Sequence, residues 1–399
     1  MSVNSAIDIG MTGLLGFSQE LQTISNNVAN LNTPGFKGSE TQFSDLFSQN
    51  NNPGGGSNTA SGEGLEVLAP VINFSSGQTT QTGIATNMLD SGNSFFVLKD
   101  PKTGQISYTQ DGQFQFNSSG VLTDSTGKYD VQALGTNGQL TNLSQSGLEN
   151  NPAKASTSIT LTGNISTATG ASNQISTITV YDANGGTHTL TATFTQSATA
   201  GTWTVAIQDG TTTVASGGSF VFSSGAISSA AGSDGFAFTY SPTGAPAMSL
   251  NLKLDPNSTS NANTASLSVQ TVDGNGAGTV TNASFNQSGT LVLNYSNGQT
   301  ANGPTVALAN FASTADLKED GTGNNAFTVA NNSEAQLGTA GTSSAWGSIT
   351  SNAIEASNVD LSTEFSEIII TQRGYQAASE IVSTANQMLQ NLLEMKGQS

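Results

Sequence analysis

His188 is the only histidine in the sequence, and there is no cysteine. Those two facts remove the thiol nucleophile, the Cys-ligated zinc site and any pair of histidines on one metal. His188 stands in Gly185-Gly-Thr-His-Thr-Leu190, just after a hairpin-type turn signal. The expectation there is a surface strand residue, not a general base. Asp273-Gly-Asn275-Gly-Ala-Gly278 has the donors of a calcium loop but no closing bidentate Glu, so it reads as a turn. None of the 27 carboxylates falls in a spaced pair diagnostic of acid–base hydrolysis. The Asn-x-Ser/Thr triplets are what chance produces in so Asn- and Ser-rich a chain. The expectation is a protein without catalytic, metal or cofactor-binding residues, hence not an enzyme.

Charge narrows the partners. Nine basic residues face 27 acidic ones, a net charge of −18 over 399 residues, and Arg373 is the sole arginine. Phosphate recognition needs clustered Lys and Arg, so no nucleic acid is expected, nor an anionic membrane surface. No Lys or Arg precedes Lys37, and Asp8 interrupts the first apolar stretch. That is unlike a signal peptide with its basic leading region. No apolar run approaches the roughly 18 residues of a membrane span, so no membrane insertion is expected. Hydrophobic residues are 35%, charged residues 9%, and 45 residues are Gly, so any core must be spread over several small units. The composition suits an extracellular protein exported without a cleaved signal.

The ends of the chain differ from its middle. Ile7, Met11, Leu14, Phe17, Leu21, Ile24, Val28 and Leu31 recur in steps of three and four. They predict a helix over about 7–31, some 37 Å long, stopped by Asn30-Leu-Asn-Thr-Pro34-Gly35. Leu361, Phe365, Ile368, Gln372, Tyr375, Ala378, Ile381, Ala385, Met388, Leu392 and Met395 mark a second stripe. It predicts a helix over about 360–396, with Asp360 and Ser362 at its cap and Lys396 at its end. Between them the period falls to two. Strands are expected at 94–98, 113–116, 175–181, 189–194, 203–207, 236–240 and 290–295, with hairpin-type turns at 182–186 and 296–298. Asn50-Asn-Asn-Pro-Gly-Gly-Gly56 reads as flexible. The expected fold is mainly β with α-helical termini and two outer β-barrel or sandwich-like domains, the second inserted into the first. Expected boundaries are 1–31 and 360–399 for the terminal helices, 32–70 for a connecting segment, 71–150 with 285–359 for the first β domain, and 151–284 for the inserted one.

Several segments carry a resemblance. Ile24-Ser-Asn-Asn-Val-Ala-Asn-Leu-Asn-Thr-Pro-Gly-Phe-Lys37 resembles the N-terminal signature of the bacterial flagellar rod and hook axial proteins. Ser357-Asn-Val-Asp-Leu361, Glu364-Phe365 and Gln372-Arg373-Gly-Tyr375-Gln-Ala377 resemble that family's C-terminal signature. Ser94-Phe-Phe-Val-Leu98, Tyr108-Thr-Gln-Asp-Gly-Gln-Phe114 and Gly120-Val-Leu-Thr123 resemble the module its members share. Val180 to Leu190, Asn294 to Gln299 and Val306 to Phe311 are similar to its hook branch. Gln110 and Ala378 depart from the pattern, which usually has Arg and Asn there.

The resemblance implies a flagellar hook subunit, a homo-oligomer forming a curved helical tube that carries torque as a universal joint. It implies partners at the rod, the hook cap, the hook–filament junction and the type III export gate. The terminal helices would form a coiled-coil inner layer. Assembly residues are expected at Leu14, Leu21, Ile24, Asn26, Asn27, Val28, Asn30, Leu31, Pro34, Gly35 and Phe36. The C-terminal set is Asn358, Val359, Leu361, Phe365, Gln372, Arg373 and Tyr375, with Arg373 the candidate for an interface ion pair. Phe43-Ser-Asp-Leu-Phe47 resembles an export-recognition motif centred on Phe43 and Phe47, and local packing explains it equally well. The alternatives are a distal rod or junction subunit and, from another class, a β-rich surface adhesin.

Overall fold

The computed structural model describes residues 3–48, 61–169, 173–228, 235–321, 325–329, 335–342 and 346–397. The segment at 50–56, expected to be flexible, lies outside the described residues. Helices stand at the two ends and strands fill the middle, so the fold is mainly β with helical termini. Helix α1 spans Val3–Ala29 and helix α2 spans Leu361–Gly397. At the end of α1 the Asn30 amide donates to Asn26 O at 3.1 Å, and Asn30 Nδ2 returns to the same carbonyl at 3.0 Å. Pro34 then has no amide to continue the ladder. Helix α2 starts on Asp360, whose Oδ1 accepts from the Ser362 and Thr363 amides at 2.7 and 3.1 Å. Those amides, Thr363 foremost, hold the Asp360 carboxyl below the usual carboxylate range.

The helices meet through small residues. Gly10 lies against Val382, Gly13 against Ala378, and Gly374 under the Phe17 ring. A Cβ at Gly374 would stand 2.5 Å from that ring, and one at Gly10 2.6 Å from Val382. The buried positions of α2 are Glu364, Thr371, Ala378 and Ala385, seven residues apart and hence on one coiled-coil-like seam. The apolar stripe read from the sequence lies elsewhere. Leu361, Phe365, Tyr375, Ile381, Met388, Leu392 and Met395 are all exposed, and only Ala378 and Ala385 of that stripe are buried. The reason is steric: Gly10 and Gly13 on α1 and Gly374 on α2 make room at the contact for Val382, Ala378 and Phe17, and the larger residues of the α2 stripe lie off it.

The stretch expected as a connecting segment carries strands: β1 (Ser39–Glu40), β2 (Phe43–Ser48) and β3 (Ser61–Val67). β2 and β3 pair antiparallel. Leu65 and Val67, two apart on β3 and so on one face, both reach the Gly16 position of α1. The Leu65 amide donates to Thr12 Oγ1 at 3.4 Å.

The strands form two compact units. The first comprises 1–146, 283–292 and 302–399. Its main sheet runs in the order 318–319, 326–328, 106–109, 95–99, 130–134, 122–124 and 114–116. Phe95, Val97, Tyr108, Ala307, Ala309, Leu317 and Phe327 form its core. Phe74 stands edge-on to Phe95 and Phe327 at 5.5 and 5.2 Å, and Phe311 edge-on to Tyr108 at 4.9 Å. Two short pairings, 88–90 with 349–351 and 79–81 with 353–355, guide the chain toward α2.

The second unit comprises 147–282 and 293–301. A five-stranded antiparallel sheet (173–181, 187–196, 202–209, 212–223, 226–227) shares one core with a four-stranded sheet (236–240, 248–254, 158–162, 268–272). Strands 158–162 and 248–254 pair in parallel. Alternate residues point inward, as at Leu190, Ala192 and Phe194 and again at Trp203, Val205 and Ile207.

Gly374→Leu should lower the melting midpoint of the helices in far-UV circular dichroism. The Phe17 ring occupies the space a side chain would need, outweighing the roughly 1 kcal/mol that leaving glycine gains in helix propensity. Gln372→Leu, at an exposed position, should leave that midpoint within about 0.5 kcal/mol of the parent.

Candidate functional site: the junction of the two signature segments

Lys37 and Glu355 are 318 residues apart in sequence, yet Lys37 Nζ lies 2.8 Å from Glu355 Oε1. Their side chains are 1% and 7% exposed, so the charges neutralise each other away from water. Lys37 Nζ also donates to Ser75 O at 2.9 Å, and Glu355 Oε1 accepts from the Gly77 amide. The positions follow from local backbone. Glu355 ends the strand 353–355, paired with 79–81, and the Gly35 amide donates to Glu355 O at 2.8 Å. Gly35 turns with φ 66°, and a Cβ there would stand 2.6 Å from the Asp111 backbone. The Pro34-Gly35 turn is thus what delivers Lys37 to the carboxylate.

Three asparagines complete the junction. Asn27, buried on α1, pairs both amide atoms with Ser39: Nδ2 donates to Ser39 O at 3.0 Å and Oδ1 accepts from Ser39 N at 3.0 Å. The same Nδ2 donates to Glu364 Oε1 on α2 at 3.1 Å. Asn358 Oδ1 accepts from the Gly38 amide at 2.8 Å, while its Nδ2 donates to Asn73 O at 2.7 Å and Ser75 O at 3.0 Å. Asn325 Nδ2 donates to Pro34 O at 2.9 Å. The segment 34–39 is therefore tied to both approaches to α2.

Carboxylates crowd this junction. Burial first, then the charges of Glu367 and Glu40, raise the Glu364 carboxyl, with the Asn27 bond opposing. Burial, then Glu40 and Glu20, raise Glu367. Asp111, beside Gly35, is pushed up to about 7 by burial, with the Asp124 charge adding to it and the Gln113 amide opposing.

The residues expected from sequence divide into two groups. Ile24, Asn27, Gly35 and Phe36 are buried, and Leu14, Leu21, Val28, Asn30, Leu31, Pro34, Asn358 and Val359 are half-buried around them. Asn26 is exposed and accepts from Asn30 Nδ2 at 3.1 Å. Leu361, Phe365, Gln372, Arg373 and Tyr375 all face outward. Arg373 has no carboxylate within ion-pair distance among the described residues. Phe43 is 40% exposed, its ring 6.4 Å from Phe17. Phe47 pairs through its backbone with Gly62, and its side chain lies outside the described residues.

Glu355, Ser75 and Glu40 were not marked by any motif. One signal for the ion pair was present: Lys37 is the only basic residue among the first 98. In the second unit His188 lies on the strand Thr187–Gln196, as expected, and is half-buried. It is 20% exposed, its Nε2 lies 2.8 Å from Asp182 Oδ2, and its ring stands edge-on to Tyr240 at 5.7 Å. His188 holds the Asp182 carboxyl below its usual range and closes the turn 182–186. Asp273 Oδ1 accepts from the Thr157 and Ser158 amides at 2.7 and 2.8 Å, a strand tie within that unit.

Comparison with known proteins gives three family matches: "Flagella basal body rod protein" over residues 7–37, "Flagellar hook protein FlgE/F/G D1 domain" over 91–171, and "Flagellar basal body rod FlgEFG protein C-terminal" over 350–395. The chain is 30% identical to the flagellar hook protein FlgE of Escherichia coli over 98% of this chain and 100% of that one. It is 30% identical to that of Salmonella typhimurium over 99% and 100%. It is 26% identical to that of Borreliella burgdorferi over 97% and 98%. The crystal structure of Helicobacter pylori flagellar hook protein FlgE2 aligns with a TM-score of 0.46 at 12% identity, covering 69% of this chain and 100% of that one.

Glu355→Gln should destabilise the first unit by about 3–5 kcal/mol in chemical unfolding, because it strands a buried ammonium. The double change Lys37→Met with Glu355→Leu should cost much less than the two single changes summed. Asp111 sets a pH dependence. Its folded carboxyl, raised to about 7 from 3.8, holds a proton that the unfolded chain has already released. Its contribution to stability is therefore greatest near pH 4 and declines as pH rises through that window. Asp111→Asn, which keeps the acceptor for the Gln113 amide, should flatten that decline in unfolding midpoints measured from pH 4 to 8.

Proposed function

The chain belongs to the bacterial flagellar hook protein family, and from that membership we propose that it polymerises into the curved tube that joins rod to filament and carries torque while bending. It is a structural subunit of the flagellar hook and not an enzyme, like the hook proteins it matches over their full length. The observation that carries the polymer reading is the set of large apolar residues left exposed on α2. Phe365, Ile369, Ile370, Ile381, Leu392, Leu393 and Met395 are between 48% and 73% exposed on a single helix. Exposed apolar surface of that extent is unfavourable in water and is relieved by packing against neighbouring copies. In this reading Met11 and Leu15 of α1, 54% and 60% exposed, join the same inner coiled-coil layer.

The buried junction residues Asn27, Gly35, Phe36 and Asn358 fix the helices against the strands of the first unit, and the outward residues Leu361, Phe365, Gln372, Arg373 and Tyr375 meet neighbours. The unit built on 147–282 is the outer, inserted domain. Its exposed Ser, Thr and Asn side chains suit water-mediated contacts that exchange as the tube bends. The subunit leaves the cell through the type III export apparatus, with Phe43 and Phe47 as the export-gate contact. It meets rod, cap and junction proteins at the ends of the polymer.

Electron microscopy of cells lacking this protein tests the reading. Basal bodies should keep their rods and lack both hooks and filaments. Intact hooks would overturn it, and a missing rod would move the protein to the rod.

A further inference from the structure

Phe365, Ile369 and Arg373 lie four residues apart on α2 and form one exposed ridge. The ridge ends in the only arginine of the chain, which has no carboxylate partner among the described residues. A second surface of the same helix pair is its electrostatic complement. Glu20 of α1, Glu40 of β1 and Glu367 of α2 line an open groove with Thr23, Thr41 and Ile370. Glu364, one turn before Glu367, is buried, and its Oε2 has no hydrogen-bond partner among the described residues. Its charge is felt by the same cluster, since Glu40 and Glu367 both raise it. Four carboxylates are gathered with no cation paired to them among the described residues.

Arg373 cannot serve its own groove. It stands six residues beyond Glu367, about 9 Å along the axis and some 120° round the helix. We propose that the groove of Glu20, Glu40 and Glu367 receives the Phe365–Ile369–Arg373 ridge of a second copy of this chain. This rests on the polymer reading above and names the contact within it. A guanidinium is the right group for such a site. It is planar, permanently charged and able to bridge two carboxylates at once, while Ile369 and Phe365 cover Ile370 at the groove's edge. Ridge and groove are different surfaces, so the contact is heterologous. It leaves one free ridge and one free groove after every addition and propagates a helical array.

The test uses the purified full-length chain, with polymer measured by sedimentation and electron microscopy as a function of concentration. Arg373→Glu and Glu367→Arg should each raise the concentration needed for polymer by about tenfold or more, with unchanged helical circular dichroism. An equimolar mixture of the two variants should restore assembly. The ridge carboxylate of the R373E chain then meets the groove guanidinium of the E367R chain, and the unaltered ridge of the E367R chain meets the unaltered groove of the R373E chain. Assembly of Arg373→Glu at the parental concentration would overturn the contact, as would a mixture that assembles no better than its components. Loss of helix in either single variant would also overturn it, assigning the charge to the fold of one copy. A parental chain that never polymerises would instead remove the polymer reading itself, and the contact with it.

Discussion

The Lys37–Glu355 pair is the constraint on which the rest of the first unit depends. Two charges at 2.8 Å with almost no solvent exposure are tolerable only while both are present and their remaining bonds are satisfied. Each therefore dictates its surroundings. Lys37 needs Ser75 O, and Glu355 needs the Gly77 amide. To bring the lysine there the chain must turn at Gly35, and to bring the glutamate there strand 353–355 must hold its register on 79–81. Such a pair adds less net stability than apolar packing would. What it adds is definition, because no other carboxylate can substitute at that depth without leaving Glu355 uncompensated.

That definition is transmitted to the helices through asparagine. Asn27 reads the Ser39 backbone and Glu364 together, and Asn358 reads Gly38, Asn73 and Ser75. An amide side chain donates and accepts at fixed geometry, so each locks a separation as well as a contact. The end of α1 and the start of α2 are thereby set relative to one another before any apolar packing between them is counted. The helix seam itself contributes proximity through Gly10, Gly13, Gly374, Ala378 and Ala385. The larger apolar residues of α2 lie off that seam and are exposed.

Much of this was legible in the sequence because it is periodic or local. The 3.6-residue recurrence marked both helices, Asp360 and the Asn30-to-Pro34 run marked their ends, and the two-residue alternation marked the strands at 175–181, 189–194 and 203–207. The buried seam of α2 was legible only in part. The apolar stripe included Ala378 and Ala385, but it also pointed to Phe365, Tyr375 and Leu392, which are exposed, and passed over Glu364 and Thr371, which are buried. The ion pair was not legible, since nothing local in Ala353-Ile-Glu355 distinguishes its carboxylate from 26 others. The hairpin of β2 and β3 escaped for a related reason. Its face is defined by Gly16 on a different element, not by alternation strong enough to see alone.

The two kinds of residue in the signature segments therefore answer to different physical demands. Asn27, Gly35, Lys37 and Asn358 are held by bonds that close within one copy, and their geometry is complete in the isolated chain. Phe365, Ile369 and Arg373 are exposed, and Arg373 has no ion pair among the described residues, although they sit on the helix that Glu364 and Asn27 fix in place. A rigid junction is what makes such an outward ridge useful. Packing at a protein–protein contact requires side chains held within fractions of an ångström, and a ridge on a loosely attached helix would spend much of its association energy on ordering. The buried charge and the amide bonds bear that ordering cost within the fold, so the exposed ridge is held in shape by the copy that carries it.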